Sequence, residues 1–226
     1  MAVQLDACLN KWESKLPSEW KLHNLLSIED NKIRAQRQKL HLRLLHTRIF
    51  LHRPTLAQFY LRRCSRRTVL SKEGSDSLEN RLLRECAGLC IESARSIVSL
   101  VTQSFEMTDS IGTLPWWYRI YYLHIAGMTF LAAMFVPELY TEAVSQSWHS
   151  LMSTLYDHQH LSSYVQQCVC TFQTLSSRIL EPRSFTSTNK VTDALGDLDF
   201  AFDDLFYDAG PDFTFDLFSN NDAASS

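Results

Sequence analysis

Between Gln36 and Thr55 the chain reads Gln-Arg-Gln-Lys-Leu-His-Leu-Arg-Leu-Leu-His-Thr-Arg-Ile-Phe-Leu-His-Arg-Pro-Thr, and no other stretch limits the fold as much. Leu42, Leu45 and Ile49, flanked by Leu40 and Leu44, recur at the spacing of one helical face. Arg37, Lys39, Arg43 and Arg48 are expected to leave the other faces wet. Pro54 disfavours helix at Arg53 and lacks the amide hydrogen that the next turn needs, so the helix should end or kink there.

The same periodicity predicts an all-α protein of about seven helical segments. They are Gln4 to Leu16, Asp30 to Arg53, Thr55 to Arg63 as a continuation or short partner, Leu78 to Phe105, Pro115 to Val136, Glu138 to Tyr156, and Leu161 to Leu180. Leu5, Leu9, Trp12 and Leu16 share one face of the first. Gly74 marks a loop from Ser71 to Ser77, and Asp109 to Leu114 reads as a turn. Pro115 suits a first helical turn, where its missing donor costs nothing. Pro137 should break the helix before it. The apolar run Ile120 to Val136 is shorter than the ~20 residues a spanning helix needs, so a buried core helix is expected and no membrane partner. The chain divides into a helical body at 1–181, a polar linker at 182–192 and an acidic tail at 193–226.

Three segments carry a family resemblance. Leu51-His52-Arg53-Pro54 closing a basic, leucine-rich helix resembles the regulatory middle region of fungal zinc-cluster transcription factors. Leu114-Pro115-Trp116-Trp117-Tyr118, followed by Tyr121-Tyr122-Leu123-His124-Ile125-Ala126-Gly127, is similar to a later helix of those domains, and Glu85-Cys86-Ala87 to Ile97-Val98 resembles the helix before it. The resemblance runs from about Leu5 to Leu180 and matches only the later half of that domain, so the chain is expected to begin inside it. It implies a nuclear regulator of transcription by RNA polymerase II, of the kind that governs catabolic or secondary-metabolite genes.

The zinc cluster that defines the family needs six thiolates in closely spaced blocks. Cys8, Cys64, Cys86, Cys90, Cys168 and Cys170 do not have that spacing, and structural core cysteine is the better reading for all of them. The group His41, His46 and His52 and the pair His158 and His160 are read as lacking a carboxylate or cysteine companion, and there is no His-Glu-x-x-His pattern. No metal site, catalytic site or cofactor site is expected. Six dispersed glycines form no phosphate-cradling loop, there is no Gly-x-Ser-x-Gly elbow, and pairs such as Glu85 with Cys86 or Asp109 with His124 have no fixed spacing behind them. The chain is read as no enzyme, and direct sequence-specific DNA binding from it alone is not expected.

A net charge of −3 hides two opposite halves. From Val191 onward there are nine aspartates and no Lys or Arg, which leaves 16 acidic against 22 basic residues before it, or +6. Lys32 to Arg67 holds eleven Lys or Arg and no acid, the mark of an acidic tail on a basic-faced body. In the tail, Leu198, Phe200, Phe202, Leu205, Phe206, Phe213, Phe215 and Phe218 are interleaved with aspartates. Repulsion among the acids keeps such hydrophobes solvated, as in disordered activation segments, and a coactivator groove could accept a turn or two of helix from them. The partner is then a transcriptional coactivator or a full-length transcription factor. An alternative is an interaction protein whose tail docks on its own basic helix.

Trp116, Trp117, Tyr121 and Tyr122, with Tyr118 between, either fill a helical core or line a pocket for a small-molecule effector. On the first reading Trp117 and Leu123 are buried; on the second the body is a helical sensing module.

Overall fold

The computed structural model describes residues 1–21, 30–68, 77–106 and 114–180, with the side chains of 31, 64–68 and 103–106 left out of account. Among these residues there are six α-helices and no strand: α1 (Ala2–Ser14), α2 (Asn31–Thr68), α3 (Leu78–Glu106), α4 (Trp116–Met134), α5 (Glu142–His158) and α6 (Ser163–Leu180). Single 3₁₀ turns lie at Ser18–Trp20 and Gln159–Leu161. The loop expected at Ser71–Ser77, the turn at Asp109–Leu114, the linker and the tail fall wholly or almost wholly outside the described residues.

Six helices stand where seven were expected because Pro54 does not divide α2. The lost hydrogen bond and ring clash cost ~3 kcal/mol. On either side of the proline, Leu42, Leu45, Ile49, Leu56, Phe59 and Tyr60 are buried, each worth ~1.5–3 kcal/mol. A continuous packed face therefore outweighs one missing donor, and Pro54 itself sits on the exposed side. Asp30 starts α2 as an N-cap, its Oδ1 accepting from the amides of Lys32 at 2.8 Å and Ile33 at 3.5 Å.

α3 packs on α2, α4 and α5, and α4 on α2, α3, α5 and α6. α4 is apolar on nearly every face, as a central helix must be; Ile120, Leu123, Ala126, Phe130, Leu131 and Ala133 are shut off from solvent. α5 and α6 are one-sided. Val144, Trp148, Leu151 and Leu155 bury one stripe of α5, and Val165, Cys168, Val169 and Phe172 one stripe of α6. Gly127 allows α6 its close approach to α4, since a Cβ there would overlap Cε2 and Cζ of the buried Phe172. Pro137 does end the preceding helix, and the chain resumes helix only after Thr141.

α1 departs from its sequence pattern. Of its apolar stripe Leu5 and Trp12 are close to half exposed and Leu9 and Leu16 are half-buried, and its buried residue is Asp6. Charge, not apolar surface, attaches it to α2.

Candidate functional site

The aromatic segment singled out in the sequence lies on the first turns of α4, against the outer side of α2. Trp116, Trp117, Tyr118 and Tyr121 are half-buried and Tyr122 is buried. Leu123 is fully enclosed as expected, but Trp117 is not; its place on the first turn leaves it short of the central layer. Trp116 and Trp117 meet edge to face at 6.0 Å. Tyr122 donates to the Tyr118 hydroxyl at 3.2 Å, and the Tyr121 hydroxyl meets Nε2 of His46 at 3.2 Å. His46 is the hinge of the cluster, edge-on to Phe50, Tyr121 and Tyr122 at 4.6, 5.6 and 5.8 Å. Burial pushes the Tyr121 and Tyr122 hydroxyls up and His46 down, so all three are neutral at physiological pH.

A second constellation spans α4 and α6. Nδ1 of His124 faces the Tyr164 hydroxyl at 3.0 Å and Cys168 Sγ at 3.5 Å, while its ring stacks on Phe172 at 5.5 Å. A cysteine beside a histidine invites a nucleophilic reading. Burial lowers His124 to about 4 and raises Cys168 to about 12. A neutral imidazole beside a protonated thiol makes a buried hydrogen-bonding unit, not an activated thiolate. Asp109, which the sequence pairs with His124 only without fixed spacing, lies outside the described residues.

The third joins α1 to α2. His52 is fully buried, with Nε2 3.3 Å from Asp6 Oδ1. Arg48 reaches Asp6 at 3.5 Å and Glu13 at 2.9 Å and donates to Asn10. His52 thus has a carboxylate companion that local sequence did not reveal, because Asp6 comes from another helix. The wet faces expected for the basic helix are also partly dry. Arg37 is buried, with its guanidinium 3.7 Å from Glu19 and 5.3 Å from the Trp20 ring. Arg62 pairs with Glu79, and Arg63 with Glu138 at 2.5 Å.

Of the cysteines, Cys86, Cys90 and Cys168 are buried as expected, whereas Cys8 and Cys170 are exposed. Cys8 lies on the exposed side of α1, and Cys170 is two residues from Cys168, which places it on another side of α6. Among the described residues no three His, Cys, Asp or Glu side chains gather as metal ligands, and no helix is long and apolar enough to cross a membrane. The tail residues Leu198, Phe200, Phe202, Leu205, Phe206, Phe213, Phe215 and Phe218 lie outside the described residues.

With that geometry in view, two curated relatives align with almost the whole chain. One is the sorbicillinoid biosynthetic cluster transcription factor sor3 of Hypocrea jecorina, 46% identical over 224 residues, which are 98% of this chain and 34% of the relative. Another is the sorbicillinoid biosynthetic cluster transcription factor 2 of Penicillium rubens, 50% identical over 224 residues, 98% of this chain and 32% of the relative. Both relatives are named as transcription factors. The chain spans about a third of their length. No protein-family model matches it, and no solved structure does. The two alignments each take in 98% of the chain, and both relatives are regulators of the kind the sequence motifs pointed to.

Proposed function

We propose that the chain is a regulatory portion of a nuclear transcription regulator of the fungal zinc-cluster type, controlling a secondary-metabolite gene cluster. The observation that carries this reading is the 46–50% identity to two biosynthetic cluster transcription factors over 98% of the chain. On this reading the all-α body is the regulatory domain, no catalysis is involved, and Asp193 to Phe218 is an activation segment that recruits a coactivator. The aspartates hold Leu198, Phe202, Leu205, Phe206, Phe213 and Phe218 in water. A coactivator groove that covers them recovers ~1.5–3 kcal/mol per large side chain, less the cost of ordering the segment.

The test fuses Asp193 to Phe218 to an unrelated DNA-binding domain in a fungal reporter strain. Transcription of the reporter is expected, with most of it lost when Phe202, Leu205 and Phe206 become Ala and a gradual loss as aspartates become Asn. A silent fusion, or a triple variant as active as its parent, removes the activation segment from the proposal.

A further inference from the structure

Four cations of α2 are answered by carboxylates of the same body: Arg37 by Glu19, Arg48 by Asp6 and Glu13, Arg62 by Glu79 and Arg63 by Glu138. Lys39 and Arg43 lie beside tyrosines of α4 instead. Lys39 Nζ lies 5.9 Å from the centroid of Tyr118, and the exposed Arg43 guanidinium is held in its charged form by the neighbouring Tyr118 hydroxyl. From there a row of rings in mutual contact runs through Tyr122, Tyr121 and His46 to Phe50, which is 47% exposed. Phe50 stands on the same side of α2 as these two cations, and the Arg53 guanidinium lies 5.9 Å from its ring centroid.

We propose that this α2–α4 surface, made by Lys39, Arg43, His46, Phe50, Tyr118 and Tyr121, docks an acidic peptide segment bearing aromatic side chains, presented by a partner protein. Charge complementarity selects the occupant. Lys32 to Arg67 contains no acid to repel a carboxylate, and the i, i+4 spacing of Lys39 and Arg43 sets their Cβ atoms ~6 Å apart. Two acids one helical turn apart in a peptide have the same spacing, so both pairs can form at once. Phe50 and the tyrosine edges then accept the peptide's ring. Duplex DNA fits less well, because phosphate binding needs a long track of cations and Arg37, Arg48, Arg62 and Arg63 of α2 are already paired with carboxylates. The surface lies within the helical body, so it stands or falls apart from the activation reading of the tail.

The full 226-residue chain tests this against a fluorescein-labelled octapeptide, Asp-Leu-Asp-Phe-Glu-Glu-Leu-Phe, by fluorescence anisotropy. Saturable binding is expected, weakening as salt is raised. The double variant Lys39→Glu/Arg43→Glu should weaken it at least tenfold and Phe50→Ala several-fold, with thermal midpoint and helicity unchanged. Lys11→Glu, on the exposed side of α1, should leave it as it was, and an octapeptide with Asn and Gln for its acids should not bind. Absence of saturable binding, or binding indifferent to Lys39 and Arg43, overturns the proposal. So does displacement of the peptide from these residues by an equal concentration of duplex DNA, which makes the surface a nucleic-acid site. If the octapeptide binds only once the nine aspartates from Asp193 to Asp222 are changed to Asn, the occupant is the chain's own tail and the partner reading fails.

Discussion

Enclosed between the Phe172 ring and the Tyr164 hydroxyl, His124 loses the water that would stabilise its charged form, and the Arg53 charge adds a smaller push in the same direction. Its folded pKa falls to about 4 from an ordinary 6.5. In the unfolded chain the same imidazole takes up a proton near pH 6.5. Stability is therefore unaffected above that pH and is lost as the pH falls from 6.5 towards 4, because the unfolded state binds the extra proton. At ~1.4 kcal/mol per pH unit the loss is about 3 kcal/mol. His46 and His158, also lowered by burial, act with the same sign. The exposed carboxylates Glu79 and Glu138, held low by Arg62 and Arg63, lose their contribution only at more acid pH. Urea midpoints measured from pH 7.5 to 4.5 should fall accordingly, and His124→Asn should flatten much of the slope. A midpoint independent of pH in that window would mean that His124 is solvated. None of this was legible locally. A histidine next to the predicted core position Leu123 looks like any other until Tyr164 and Cys168 arrive from a helix forty residues on.

Periodicity located the six helices well, with starts and ends mostly within a few residues of the observed ones. Two elements escaped it, for opposite reasons. At Pro54 a strong local stop signal lost to the packing of α2 against α3. In α1 the apolar stripe of Leu5 and Trp12 announced a core-facing helix, and ion pairs at Asp6 and Glu13 hold it with those two side chains close to half exposed. Such an attachment depends on few atoms. Arg48→Ala removes the guanidinium that touches Asp6, Asn10 and Glu13, and breaking one partner of a largely buried pair costs ~3–5 kcal/mol. Because α1 adds little apolar burial to the core, that loss should fall on α1 alone. Hydrogen exchange read by mass spectrometry should show amides 2–14 losing protection while α3 and α4 keep theirs. Unchanged protection of α1, or cooperative loss throughout the body, would contradict the ion-pair attachment.

At the scale of the molecule the basic stretch suggests nucleic acid, and the fold disperses that signal. With Arg37, Arg48, Arg62 and Arg63 answered internally, the chain should bind duplex DNA weakly and without sequence preference, the affinity dropping steeply between low and physiological salt as counterion release predicts. Nanomolar, sequence-selective binding at physiological salt in an anisotropy titration would contradict this. The sequence alone determined the helical class, the core face of α2, the buried Leu123 and the opposite charges of the two halves. These follow from spacing along one chain, where 3.6-residue periodicity and net charge are local sums. Only the tertiary structure decided that α2 runs through Pro54, that α1 is held by charge, that His52 meets Asp6, and that Lys39 and Arg43 come to lie beside tyrosines of α4. Each depends on which side chains from distant helices meet, and on the free energy of burying them together, which no local pattern contains.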